Sequence, residues 1–511
     1  MEIRRDLLDV LARRALTEDG ARPEVVAKRH AAGRRTAREN IADLIDPGSF
    51  VEYGRFVTAA QEARRSVDEL LDRTPADGIV GGLARINSEL YGDRAACAVL
   101  SYDYLVMAGT QGMRGHRKTD RLFTVIERLA LPTVFFTEGG GGRPGDTDIP
   151  LVSALDVESF ALWARLSGVA PRIAVVSGRC FAGNAVIAGG SDLIVATADA
   201  NLGMGGPAMI AGGGLGEFAP EEVGPIDVQT RNGVVDVAVA DEAEAVAVAK
   251  QLIGFFQGRL ATWQAPDQAQ LREAVPEHER TSYDVAPIVE TLADEGSVVF
   301  LRDLFAPEMM TALGRIEGRP VGFIGNCTLH MAGAVTSDAA TKAAGFLQLC
   351  DTWGIPVITL VDTPGMMVGP EAEATGLVRH GSRLLVAGAR LRVPLIGVIL
   401  RRGYGLGAQA MLGGSTHQPL LTVAWPGAHL GAMGLEGAVR LALRKELAAI
   451  EDDDERERTV RELTAAEQER AKALNVARYF EIDDVIDPAE TRGVIAQTLA
   501  AAQGRHEGDT G

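Results

Sequence analysis

Two stretches of this chain, 224 residues apart, carry the same order of elements. Residues 132–138 and 356–362 each read as a proline, a short apolar run and a carboxylate, ending at Glu138 and Asp362. At the same offset Gly141 falls on Gly365, Gly183 on Gly407, and Gly189, Gly190 and Ser191 on Gly413, Gly414 and Ser415. The apolar run 174–176 falls on 398–400, and no gap is needed from Pro132 to Ser191. After a four-residue insertion, Leu202 and Gly203 match Leu430 and Gly431. Isolated glycines align by chance in a chain with 59 of them, but strand, carboxylate and glycine elements do not readily keep one register together. One α/β unit is therefore built twice.

The apolar runs, such as 321–324, 357–361 and 395–400, are hydrophobic on consecutive positions, the pattern of strands buried on both faces. Helical patterns at 338–353 and 377–389 separate them, which predicts right-handed βαβ crossovers. A chain of 511 residues exceeds one hydrophobic core. The connector 258–296, with Pro266, Pro276 and Pro287, places the division at 265/266, giving domains 1–265 and 266–511. The first seventy residues are charged and helical in pattern; charge is dense again over 451–470, and its acidic start, 451–455, reads as a solvated helix end.

A net charge of −18 and 5% aromatic residues oppose a nucleic-acid partner. Cys97, Cys180, Cys327 and Cys350 form no CxxC pair, so neither a disulfide framework nor a zinc ribbon is signalled, and no metal site is expected. The start of the chain lacks the apolar core of a signal peptide, and no apolar run suffices to span a bilayer. These features predict a cytoplasmic protein without membrane insertion.

Each copy holds two glycine-bearing turns. One follows a strand: Gly139, Gly140, Gly141, Gly142 and Arg143 in the first copy, Gly365 and Met366 in the second. The other runs from a strand into a helix, at 178–184 and 402–408. A helix start leaves backbone N–H groups unpaired and carries partial positive charge. Two such sites suit chemistry that develops negative oxygen, such as enolisation of a thioester, where one donor is worth about 2.7–4 kcal/mol of barrier. A single glycine-rich turn is more often a plain βα turn, and none here matches the phosphate-loop pattern; the recurrence in both copies is what points to function. None of the eight histidines sits in a metal-ligand or triad-like motif; His330, His380 and His417 read as structural or solvent-facing, although His330 lies in a glycine-rich turn. Glu138 and Asp362 end strands, where they could act as acid or base but are better placed to hold turn N–H groups.

The segments 36–41, 46–52, 77–82 and 332–344, and Asp362 to Gly365 with Arg379, His380 and Gly381, resemble the carboxyltransferase family that includes the β subunits of propionyl-CoA and acetyl-CoA carboxylases. The likeness covers nearly the whole chain. It implies an α/β fold of two tandem crotonase-like (ClpP-like) ββα-spiral domains, with an active site between the N-terminal domain of one subunit and the C-terminal domain of another. It implies transfer of the carboxyl group of carboxybiotin to the α-carbon of an acyl-CoA. By position, Ala182 and Gly183 would face the thioester oxygen, and Leu406 and Gly407 the ureido oxygen of biotin. Around them, Gly139 to Arg143, Gly365, Met366, Tyr404 and Gln409 would bind substrate. No Met-Lys-Met biotin-attachment site occurs among only six lysines, and nothing reads as an ATP-binding module. The biotin would therefore ride on a separate biotin carboxylase/biotin carboxyl carrier subunit, and the family's habit implies a homo-oligomer, expected as a hexamer.

Two departures from the family pattern matter. The family often has glycine where Ala182 and Leu406 stand, so a Cβ enters each pocket and restricts φ. Gln409 replaces an acidic residue common in short-chain carboxylases, and the run 405–411 looks like members that accept longer or varied acyl chains. Three other readings use the same residues: the carboxyltransferase subunit of a biotin-dependent acyl-CoA decarboxylase, a biotin-free crotonase-type hydratase, and a non-enzymatic scaffold in which Ala182 and Leu406 close the pockets.

Overall fold

The consecutive apolar runs form buried parallel strands. In a computed structural model, which describes residues 4–149, 153 and 155–503, the first unit carries a seven-stranded sheet of order β1-β2-β3-β4-β5-β7-β9. Its strands are β1 (Val51–Glu52), β2 (Ile79–Arg85), β3 (Ala96–Tyr102), β4 (Thr133–Phe136), β5 (Arg172–Val176), β7 (Leu193–Thr197) and β9 (Val237–Val239). The hairpin β2–β3 is antiparallel and every later pairing is parallel. β4, β5 and β7 are buried at every position, as strands covered on both faces must be. Two short strands, β6 (Arg179–Phe181) and β8 (Asn201–Gly203), pair in parallel beside this sheet. The helix Met113–Leu129 buries Leu122, Phe123 and Ile126 in a core with Phe135 and Trp163.

The second unit repeats the plan in the order β10-β11-β12-β13-β14-β15-β17, with β16 on β14. Here the strands are β10 (Val299–Phe300), β11 (Met309–Ile316), β12 (Arg319–Asn326), β13 (Val357–Thr363), β14 (Leu395–Tyr404), β15 (Leu421–Ala424), β16 (His429–Gly431) and β17 (Asp484–Val485). Each unit is a crotonase-like ββα spiral.

The compact units are 1–258 and 259–511, not 1–265 and 266–511. The strip 259–265 hydrogen-bonds into the second unit: Leu260 N–H to the Gly318 carbonyl at 3.0 Å, Arg259 Nε to the Glu317 carbonyl at 2.9 Å, and the Gln264 carbonyl from Glu295 N–H at 2.9 Å.

The ungapped register of the repeat does not survive. Thr133 pairs with Arg172 where Val357 pairs with Leu395, so the offset is 224 on the first strand of each pair and 223 on the second. Phe181 then pairs with Gly203 as Tyr404 pairs with Gly431. Ala182, Gly183 and Asn184 therefore correspond to Gly405, Leu406 and Gly407, and Gly183 is not the counterpart of Gly407.

Candidate active site

The strand-to-helix turn of the first unit leads from β6 into a helix, Gly183–Gly189. Ala182 sits just before it at φ 50° and ψ −122°, a backbone conformation that usually requires glycine. Its N–H donates to the Gly203 carbonyl at 3.0 Å, and the first intrahelical bond runs from Val186 N–H to the Ala182 carbonyl at 2.9 Å. The Ala182 N–H is therefore spent on the sheet, contrary to the sequence expectation. The donors the turn leaves available begin at Gly183 and Asn184. In the second unit Gly405, at φ 60°, takes the left-handed place. Leu406 and Gly407 follow in the first turn of the helix Gly405–Met411, where N–H groups lack intrahelical acceptors.

Three turns meet around each donor pair. In the first unit Gly140 N–H donates to the Ala108 carbonyl at 3.2 Å, Gln111 N–H to the Gly141 carbonyl at 2.7 Å, and Phe181 N–H to the Gly139 carbonyl at 2.9 Å. In the second, Val335 N–H donates to the Gly365 carbonyl and Met367 N–H to the Val335 carbonyl, both at 3.0 Å. Gly407 lies against Gly365 so closely that an added Cβ would stand 2.4 Å from its carbonyl carbon. The third turn of each set was missed in sequence. Met107 and Ala108 (φ 50° and 56°) and Met331 and Ala332 (φ 47° and 52°) are left-handed, each pair followed by a glycine. The signal was present: Met-Ala-Gly at 107–109 and 331–333, again 224 apart, upstream of where the repeat had been traced.

Other expected residues fall differently. Gly139 to Gly142 lie in the first unit's turn cluster, but the Arg143 side chain is only 2% exposed and ion-pairs with Asp77, with Asp146 at 3.7 Å. It is a buried internal cation, not a substrate contact; burial pushes the Asp77 carboxyl up while Arg143 pulls it down. Met366 is half-buried beside Gly365, Tyr404 is buried with its hydroxyl donating to Glu279 at 3.0 Å, and Gln409 is exposed. Leu406 is 62% exposed, so its side chain fills no pocket within its own unit.

The strand-end carboxylates hold guanidinium groups rather than mainly turn N–H groups. Glu138 accepts from Arg29 Nη1 at 3.1 Å with Arg34 at 3.6 Å, and Asp362 accepts from Arg401 Nε at 3.0 Å and Arg402 Nε at 2.6 Å. Among the described residues one backbone donor joins them, Arg402 N–H to Asp362 at 3.3 Å. Burial pushes the Glu138 carboxyl up against the pull of Arg29. His330 and His417 are exposed, and His380 is half-buried on Thr341. His116 Nδ1 meets Ser159 Oγ at 2.9 Å; burial first, then Arg143, pushes this histidine down to about 4. Among the described residues no group of three or more His, Cys, Asp or Glu could hold a metal.

Each unit also carries a cavity. The first unit's, about 530 Å³, is lined by Lys28, Arg29, Arg34, Tyr104, Glu138 and Arg179. The second unit's, about 1060 Å³, includes Thr328, Arg402, Tyr404 and His429, and three of these are the repeat counterparts of Tyr104, Arg179 and Asn201. Its wall includes Val460 and Thr464 from the helix Asp453–Ala471, whereas the acidic start of that run, 451–455, is exposed throughout.

Two backbone donor turns, related by an internal repeat, mark a protein of the crotonase-like class, built to stabilise negative charge developing on a carbonyl oxygen. Residues 28–509 match the carboxyl transferase domain, and the chain belongs to that family. The methylmalonyl-CoA carboxyltransferase 12S subunit of Propionibacterium freudenreichii subsp. shermanii is 32% identical over 503 residues, 95% of this chain and 92% of that protein. A propionyl-CoA carboxylase beta chain of Saccharopolyspora erythraea is 31% identical, over 94% of this chain and 90% of that one. Among solved structures, a single-chain, multi-domain long-chain acyl-CoA carboxylase is 54% identical with a TM-score of 0.93 over 97% of this chain; this chain spans 49% of its length. The transcarboxylase 12S hexamer is 29% identical with a TM-score of 0.84, over 99% of this chain and 96% of that one. Among the described residues no helix is long and apolar enough to cross a membrane.

Proposed function

We propose that this chain moves a carboxyl group from carboxybiotin, presented by a separate carrier protein, to the α-carbon of an acyl-CoA, with the thioester on the first unit and the biotin ring on the second. The observation that carries the reading is the pair of repeat-related donor turns in a chain that matches the carboxyl transferase domain over residues 28–509. Carboxybiotin supplies the activated carboxyl group. Its ureido oxygen fits the first-turn N–H groups of Leu406 and Gly407, beside the exposed apolar side chain of Leu406. On the first unit, the N–H groups of Gly183 and Asn184 would bind the thioester oxygen and stabilise the charge that gathers there as the Cα proton passes to the ureido group that has released its CO2. Lys28, Arg34 and Arg179, lining the adjoining cavity, suit the phosphates of CoA. Neither unit has to supply a catalytic histidine or cysteine, because the charge that develops is met by backbone dipoles.

The acyl group is a long chain. The 54% identity to a long-chain enzyme and the exposed, uncharged Gln409 support this. The test is decarboxylation of carboxylated acyl-CoAs by the purified chain with free biotin, across chain lengths. Turnover should require biotin and rise with chain length, and the isolated chain should not fix bicarbonate with ATP. Turnover independent of biotin, or ATP-driven carboxylation by the chain alone, would sink the proposal.

A further inference from the structure

Two asparagines, one in each unit, are completely buried at the junction of the turns. Asn184 donates from Nδ2 to the Gly109 carbonyl at 3.2 Å and accepts at Oδ1 from Gly141 N–H at 2.9 Å. It thereby ties the left-handed turn 107–109 and the glycine turn 139–142 to the donor turn it belongs to. Asn326 donates from Nδ2 to the Gly333 carbonyl at 3.1 Å and accepts from Asp362 N–H at 3.3 Å. Gly109 and Gly333 are counterparts in the repeat, so the same carbonyl is held in both units. The asparagines are not counterparts: Asn184 stands where the second unit has Gly407, and Asn326 stands where the first has Tyr102. A brace retained at the same carbonyl from two different elements marks a requirement of the site, because simple inheritance would have kept it on one.

We infer that Asn184 and Asn326 are positioning residues: Asn184 holds the donor turn of its own unit in register with the neighbouring turns, and Asn326 ties the turn 331–333 to the strand end at Asp362 that leads into Gly365, against which the donor glycine Gly407 packs. This rests on the proposed division of labour, with the thioester on the first unit and biotin on the second. A buried asparagine with both ends satisfied fixes backbone geometry, and a misplacement of about 1 Å in such a site costs about a hundredfold in rate.

The test uses Asn184→Asp and Asn326→Asp, which keep the accepting oxygen and lose the donor to the glycine carbonyl; Asn184→Gly, the residue the second unit has at that place, serves if the aspartate variant does not fold. Biotin-dependent decarboxylation of a carboxylated acyl-CoA should lose about tenfold to a hundredfold in kcat in each variant. Calorimetry then compares a dethia acyl-CoA analogue that keeps the carbonyl with one in which the carbonyl is a methylene. The carbonyl's advantage in Kd should fall about fivefold in Asn184→Asp and stay unchanged in Asn326→Asp, whose KM for free biotin should rise instead. A purely structural role would lower Tm without touching the carbonyl's advantage. Folded variants with wild-type kcat and an unchanged carbonyl advantage would overturn the inference. The opposite pattern, with the advantage lost only in Asn326→Asp, would support the bracing and overturn the assignment of thioester and biotin to their units. Failure of the wild-type protein to bind either analogue would overturn the proposed function itself.

Discussion

Replacing Gly407 by alanine separates two readings of the same glycine. Seen as a flexible turn at a pocket mouth, it should tolerate a side chain without loss of folding. The structure predicts otherwise. An alanine Cβ would lie 2.4 Å from the Gly365 carbonyl carbon, 2.7 Å from its Cα and 2.8 Å from its oxygen, all backbone atoms. Carbon contacts are favourable only from about 3.5 Å, so the two turns must part by about 1 Å. Forcing a methyl group into a packed site costs about 1–3 kcal/mol of stability. The same 1 Å moves the Leu406 and Gly407 N–H groups off their oxygen, about a hundredfold in rate. Gly183→Ala is the control. Its Cβ would meet the Gln111 Oε1 at 2.1 Å and the Phe160 ring at 3.0 Å, but these are side-chain ends that can turn away. Gly183→Ala should therefore lose activity with a smaller change in Tm. Thermal unfolding with steady-state decarboxylation on each variant decides the matter. A Gly407→Ala protein with wild-type Tm and kcat would refute the reasoning.

Arg143→Met should destabilise the protein by about 3–5 kcal/mol, because Asp77 and Asp146 are left buried without their cation; denaturant unfolding measures it, and a change below about 1 kcal/mol would place no weight on the pair. His116 is held near 4, below its ordinary 6.5, so the unfolded chain takes up a proton that the folded one refuses between those values. Its stabilising contribution is full above pH 6.5 and is lost as pH falls toward 4, by at most about 3 kcal/mol, so unfolding midpoints of His116→Gln should fall less steeply than wild type over that window. Light scattering should find a hexamer, as in the transcarboxylase 12S relative, and an active monomer would contradict a site completed by a second subunit.

Much of this was legible in sequence because it depends on pattern. Consecutive apolar runs became parallel strands, and glycines aligned at a fixed offset marked two copies of one unit. What failed was register. One extra residue between β4 and β5, relative to the second copy, is invisible to an ungapped comparison that still aligns several glycines. Its effect was to pair Gly183 with Gly407 and to select Ala182, whose N–H the Gly203 carbonyl takes. Arg143, expected among the substrate-binding residues, failed for another reason: only the fold shows that Asp77, 66 residues upstream, is there to meet it.

The two copies show which features such a site must keep. Both retain the left-handed Met-Ala turn, the donor helix after a strand, and a buried lysine bonded to loop carbonyls. Lys118 reaches the carbonyls of Gly54, Ala76 and Ile79, and Lys342 those of Arg302, Phe305 and Ala306; burial pushes both down to about 8. The side chains around the donors have diverged: Gln111 against Val335, Tyr102 against Asn326, Asn184 against Gly407. A backbone N–H is the same group whatever side chain follows it, so the residue at a donor position is free to change if its neighbours keep the turn in place. On the proposed reading, that freedom lets the same oxygen-binding turn serve a thioester in one unit and a ureido carbonyl in the other. The braces and the glycines in close contact, Gly141 against Ala182 and Gly365 against Gly407, therefore carry more of the site's geometry than the side chains at the donor positions.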